Sequence, residues 1–198
     1  MPELSVSVLL LVLGAYLIGS LSSAVILCKA AGLPDPRTQG SGNPGATNVL
    51  RMGSKKLAAV VLLLDVLKGV IPVLIGRLLG LDMAVLTLIA LFAFLGHLYP
   101  VFFQFRGGKG VATALGAFLA LSPLLAIAGL LMWLLVFVVS RISSLSAITA
   151  TALTPVYAYW LIDNTFSRWI ILLIALLLLW RHRANIRRLI AGEEPKSG

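Results

Sequence analysis

Long apolar stretches alternate with short polar ones along the chain. Apolar runs occupy 5–27, 57–79, 84–105, 110–122, 123–140, 145–162 and 166–180. A helix needs about 20 residues to cross a hydrocarbon core, so the longest runs are of membrane length and others fall short of it. The stretch 110–140 is interrupted by Ser122-Pro123. Proline inside a helix costs about 3 kcal/mol, so the pattern predicts two helices joined by a tight turn. The predicted fold is an all-α polytopic membrane protein of seven transmembrane helices, some short, in a single domain over residues 1–198.

The basic residues set an orientation, because loops rich in lysine and arginine stay on the cytoplasmic side. Lys29, Arg37, Arg51, Lys55 and Lys56 follow the first run, Arg106 and Lys109 the third, and Arg141 the fifth. Arg181, Arg183, Arg187, Arg188 and Lys196 follow the last, whereas the other side holds only Arg77 and Arg168. The N-terminus is therefore expected outside and the C-terminus in the cytoplasm.

Composition narrows the class. With 60% hydrophobic and 12% charged residues, the chain is too apolar for a soluble domain of its size. The net charge of +9 punctuates apolar segments instead of forming one dense face, which argues against nucleic acid as a partner. Cys28 is the only cysteine, so neither an internal disulfide nor a thiolate metal site is available. No metal or cofactor is expected. The first run lacks a basic leader and exceeds the core of a signal peptide, so it reads as a retained helix.

Three polar islands fall on the predicted cytoplasmic side. The first is Gly40-Ser41-Gly42-Asn43-Pro44-Gly45-Ala46-Thr47-Asn48, followed by Arg51. Its glycines let backbone amides approach an anion, its side chains add neutral donors, and Arg51 offers a fork suited to phosphate. The competing reading is an ordinary interfacial turn with a topogenic arginine. The second island, Arg106-Gly107-Gly108-Lys109-Gly110, lacks the spacing of a nucleotide P-loop but places a lysine and glycines at a helix start. It too can be read as a topogenic turn. The third, Arg181-His182-Arg183-Ala184-Asn185, sets His182 and Asn185 on one face if the helix continues. Otherwise it is a snorkelling helix end. Their shared position suggests one composite site for an anionic, partly apolar substrate.

Other polar residues receive structural readings. Asp65 and Lys68, three apart inside a span, are expected to form an ion pair. His97 is expected to be a hydrogen-bonded intramembrane histidine, and Ser143 and Ser144 to be helix caps. Two rival functions remain: an anionic-solute transporter, and a lipid-binding scaffold without catalysis. No internal repeat of the transporter kind is visible.

Residues 40–51, 96–113 and 182–194 resemble, in order, the three signature segments of the bacterial acyl-phosphate-dependent glycerol-3-phosphate acyltransferases. The resemblance implies a multi-pass enzyme of the bacterial cytoplasmic (inner) membrane with its site at the cytoplasmic face. It implies transfer of a fatty acyl group from acyl phosphate to glycerol 3-phosphate, the first step of phospholipid synthesis, and transient contact with a soluble enzyme that makes the acyl phosphate. By the same resemblance Ser41, Arg51, His182 and Asn185 are catalytic. Asn43, Gly45, Thr47, Asn48, Gly107, Gly108, Lys109, Gly110 and Ser144 bind substrate, and Glu194 is structural. The histidine–aspartate pair of acyl-CoA-dependent relatives is missing, since Phe102 and Arg187 stand five residues after His97 and His182. Acyl phosphate is already a good acyl donor, so the expected chemistry is direct transfer without an acyl-enzyme.

Overall fold

A computed structural model describes residues 5–196. The helices are α1 Val6–Gly19, α2 Ser23–Ala30, α3 Ala46–Arg51, α4 Lys55–Leu78, α5 Met83–Leu98, α6 Val111–Leu121, α7 Pro123–Ser140, α8 Ser143–Leu161, α9 Thr165–Arg181 and α10 Arg183–Ile190. A 3-10 turn, Val101–Phe103, follows α5. Each predicted apolar run is mostly helical, with breaks at 20–22 and after Leu98, and no strand occurs among the described residues.

The interruption expected at Ser122-Pro123 is real. Ser122 caps α7 by accepting from the Leu125 amide at 3.4 Å, and Pro123 takes the first helical position, where no amide hydrogen is needed. Asp82 and Asn164 cap α5 and α9 in the same way. The outer surface is apolar: Val139 on α7 is 82% exposed among other exposed leucines and valines. Such a belt is suited to lipid tails rather than water. The chain is an all-helical integral membrane protein.

Three helices are long and apolar enough to cross a bilayer by themselves: α4, α5 with its turn, and α7. The pairs α1/α2 and α9/α10 bend by 44° and 56°, and counting each as one span gives five. The 11 residues of α6 reach roughly 16 Å, about half of a hydrocarbon core. Neither bend was expected. At the first, Ser20 donates to the Tyr16 carbonyl at 2.8 Å, a back-bond that competes with the helix ladder. At the second, the His182 ring bonds the Leu178 carbonyl at 2.8 Å. The helix is therefore bent at His182, which ends α9 and whose carbonyl, accepting from the Ile186 amide at 2.9 Å, begins the α10 that carries Asn185.

Glycines bring the central helices into backbone contact. A Cβ on Gly69 of α4 would strike the Thr113 carbonyl of α6, and one on Gly116 of α6 would strike that of Val66. Gly19 of α1 and Gly96 of α5 stand in the same relation to Ala93 and Tyr16. Without a hydrophobic drive between helices in lipid, such close approach is what holds them together. Around α5, whose Ile89, Phe94 and Leu98 are fully buried, pack α1, α4, α6 and α9. The frame leaves a cleft between α4, α6, α7 and α8 that opens toward the three polar islands.

Candidate active site

The first island is folded by Asn48. Its amide oxygen accepts from the Ser41 backbone at 2.9 Å, and its nitrogen donates to the Pro36 and Gln39 carbonyls at 2.8 and 2.9 Å. With both N–H groups used inside the loop, Asn48 clasps the backbone, although it also borders the cleft. Gly40 needs its positive φ of 56°, and a side chain there would displace the Asn48 oxygen. Farther out, Asp35 and Arg37 pair at 2.6 Å, and Arg37 reaches the Phe103 carbonyl at 3.3 Å. The Arg37 hydrogen bonds hold the Asp35 carboxyl below its ordinary range. Ser41, Asn43, Gly45, Thr47 and Arg51 line the cleft. Among the described residues, the Ser41 hydroxyl and Arg51 guanidinium bond no protein group, so both can serve a ligand.

The second island divides. Lys109 and Gly110 line the cleft; Gly107 and Gly108 do not. These two instead form a bed for their neighbours. Arg181 donates to the Gly107 and Gly108 carbonyls at 2.7 and 3.1 Å, and the Gly108 amide donates to the His97 carbonyl at 3.1 Å. A Cβ on Gly108 would run into His97 Nε2. They lie behind Lys109, outside the lining of the cleft.

The third island joins the second through a buried hub. Lys109 donates to Asn185 Oδ1, Asn185 donates to Glu194 Oε1, and Ser144 donates to that same oxygen, each at 2.6 Å. Arg188 completes it with 2.6 Å to Glu194 Oε2. Ser144 is thus no helix cap: α8 begins with no side-chain cap bond, and its hydroxyl crosses to Glu194. Burial pushes the Glu194 carboxyl up, but hydrogen bonds from Ser144, Arg188 and Asn185 outweigh it and hold it below the ordinary range. Burial, aided by Arg188, Arg51 and Arg181 and opposed by Glu194, pushes Lys109 down to about 8. His182 is 3% exposed and lines the cleft. With Nδ1 donating to the Leu178 carbonyl, the neutral ring keeps its Nε2 lone pair free.

These parts enclose a cleft of about 290 Å³. Its polar end carries Ser41, Arg51, Lys109, His182 and Asn185, and its apolar arm is lined by Leu115, Phe118, Leu130, Trp133 and Ala147. Its two flanking carboxylates are neutralised, Glu194 by Arg188 and Asp65 by Lys68 at 2.8 Å. The polar end is therefore net positive and the other arm apolar. The arrangement suits a phosphorylated molecule whose other end is a hydrocarbon chain.

Sequence reasoning missed several lining residues, and two of them are ionisable. Asp65 does pair with Lys68, as expected, but it also borders the cleft. His97 is buried and lines the cleft as well, and its Nδ1 has no hydrogen-bond partner, contrary to the expectation of a satisfied histidine. The spacing of an ion pair does not reveal which cavity it borders, so no signal in the chain separated this role from a structural one.

Comparison with known proteins gives the chain a family. The glycerol-3-phosphate acyltransferase family matches residues 9–192. The glycerol-3-phosphate acyltransferase of Thioalkalivibrio sulfidiphilus is 60% identical, over 95% of this chain and 93% of its own length. That of Ruthia magnifica is 54% identical, over 99% and 98%. The crystal structure of PlsY (YgiH), an integral membrane glycerol 3-phosphate acyltransferase, in its glycerol 3-phosphate form has a TM-score of 0.92 at 45% identity, covering 97% of this chain and 96% of that one. Its lysophosphatidic acid form gives 0.89 at 44%. These matches make the chain an integral membrane acyltransferase. More narrowly, it belongs to the glycerol-3-phosphate acyltransferase family.

Proposed function

We propose that the protein transfers a fatty acyl group from an acyl phosphate to the 1-hydroxyl of sn-glycerol 3-phosphate, in one step and without an acyl-enzyme. The products are 1-acyl-glycerol 3-phosphate and phosphate. The observation that carries this reading is the continuity of one cleft from a cationic end to an apolar arm. A relative whose solved forms hold glycerol 3-phosphate and lysophosphatidic acid supports the acceptor and the product.

The acyl chain lies in the apolar arm. Ser41 and the loop amides hold the acyl-phosphate head, while Arg51, Lys109, Ser144, His182 and Asn185 position glycerol 3-phosphate. Two anions that repel each other in water are brought together by fixed positive charge, which also stabilises the departing phosphate. The glycerol oxygen forms the new ester bond to the acyl carbon as the bond from that carbon to the phosphate oxygen breaks. The hydroxyl proton passes to the released phosphate or to the free Nε2 of His182. No carboxylate orients His182, whose Nδ1 instead meets a backbone carbonyl. That favours a positioned, already activated donor over a strong base.

Seven crossings, with the N-terminus outside and the site at the cytoplasmic face of the bacterial inner membrane, complete the proposal. The basic loops support this orientation. Acyl phosphate would then arrive from a soluble enzyme that makes it. The test is acyl transfer by the purified protein in detergent, with radiolabelled glycerol 3-phosphate and either acyl phosphate or acyl-CoA. Labelled lysophosphatidate from acyl phosphate alone is expected; equal use of acyl-CoA would refute the donor assignment. Absence of any transfer, with labelled-solute counterflow in proteoliposomes, would favour a transporter.

A further inference from the structure

A second polar cluster borders the cleft on α4 and α5, apart from the three islands. Asp65 is 3% exposed and Oδ1 collects two donors, Ser23 Oγ at 3.0 Å and Lys68 Nζ at 2.8 Å. Lys68 also donates to the Leu21 carbonyl at 2.9 Å. His97 Nδ1 stands 3.7 Å from the same Asp65 oxygen, beyond a hydrogen bond, and has no other partner. The ring cannot retreat on its other side, because the Gly108 backbone packs against Nε2. Burying an imidazole nitrogen without a partner is unfavourable, so such an atom points to something that completes it.

The chemistry of the pair restricts what that is. A phosphate dianion or an acyl carbonyl offers only acceptors and has no hydrogen to give the Asp65 carboxylate. A hydroxyl both donates and accepts, matching a carboxylate oxygen beside an imidazole N–H. We propose that Asp65 and His97 form a hydroxyl subsite in the cleft, which takes the secondary hydroxyl of glycerol 3-phosphate and so selects acceptors that carry it. His97 donates from Nδ1 and Asp65 accepts. This rests on glycerol 3-phosphate as acceptor. The primary hydroxyl is the one that reacts, which leaves the secondary hydroxyl as the substrate group needing such a partner. Gly108, one residue before Lys109, ties the subsite to the phosphate-binding end.

The experiment compares two acceptors, glycerol 3-phosphate and 3-hydroxypropyl phosphate, which lacks only the secondary hydroxyl. Both are assayed with acyl phosphate in the wild type and in His97→Leu, His97→Asn and His97→Gln. Asparagine places a donor near the position of Nδ1, and glutamine places one near Nε2. The wild type is expected to favour glycerol 3-phosphate in kcat/KM by about tenfold or more, the scale of one buried hydrogen bond. His97→Leu should abolish that preference by lowering only the glycerol 3-phosphate value, His97→Asn should restore most of it, and His97→Gln should not. An equal fall for both acceptors in His97→Leu would mean that the pair holds a structural water or merely supports the helices, and would overturn the subsite. A wild type that acylates neither acceptor would instead overturn the proposed function. Wild-type turnover thus separates the two failures.

Discussion

Lys109 donates a 2.6 Å hydrogen bond to the amide oxygen of Asn185, 76 residues further along the chain. This contact joins the loop before α6 to α10, and through Asn185 and Glu194 it reaches Ser144 on α8. Three segments distant in sequence thereby share one charged end of the cleft.

Because Asn185 both orients Lys109 and donates to Glu194, its loss is felt on binding and on the hub together. Asn185→Ala is expected to raise KM for glycerol 3-phosphate by about tenfold or more, the scale of a charge-assisted hydrogen bond. Steady-state kinetics with acyl phosphate saturating checks this. An unchanged KM with a reduced kcat would place Asn185 on the reacting groups instead.

The acidity of Lys109 has two consequences of opposite sign. Its ammonium, pushed down to about 8, is present below that pH and lost above it, so kcat/KM for glycerol 3-phosphate should fall as pH rises through about 8. Lys109→Arg should remain active at higher pH, with a lower maximum, because a guanidinium does not reproduce the compact contact with Asn185. Stability runs the other way. Between about 8 and the ordinary lysine value of 10.5, the unfolded chain binds a proton that the fold releases, so the unliganded protein gains stability over that window. Parallel pH profiles of activity and of thermal unfolding test both signs.

Glu194 receives three donors, and its side chain is nearly fully buried. Glu194→Ala strands all three and is expected to destabilise the protein by roughly 2 kcal/mol, with activity falling as the polar end loosens. Glu194→Gln keeps one acceptor oxygen and should lie between the two. Melting temperatures in one detergent rank the three proteins.

Much of this was readable in the chain, for identifiable reasons. Apolar run length marked each long helix, and Pro123 marked the break between α6 and α7, because both signals are local. The three islands were recognisable because glycine, amide and basic residues are out of place beside membrane-length apolar runs. What escaped depends on contacts between distant segments. Asn48 closes its own loop, while Gly107 and Gly108 support Arg181 and His97 and do not face the cleft. The resemblance already drew Ser144 to the site, but its bond to Glu194, 50 residues away, is a contact no local signal carries. The bend at His182, where ring and backbone amide share the Leu178 carbonyl, is something helix periodicity does not register.

The backbone approach of α4 and α6 gives a test of the frame. Gly116→Leu places a side chain against the Val66 carbonyl, where even a Cβ has no room. The helices must separate, and a loss of about 2 kcal/mol or more is expected. Gly129→Ala on α7, where a Cβ meets nothing within 4 Å, should leave the melting temperature nearly unchanged. A similar loss in both would contradict the packing described for α4 and α6.

Holding both substrates in one cleft during a single transfer has a kinetic signature. Initial rates measured while acyl phosphate and glycerol 3-phosphate are both varied should give intersecting double-reciprocal lines, as required when the two are bound together before reaction. Parallel lines, the mark of an acyl-enzyme formed and released in turn, would contradict direct transfer.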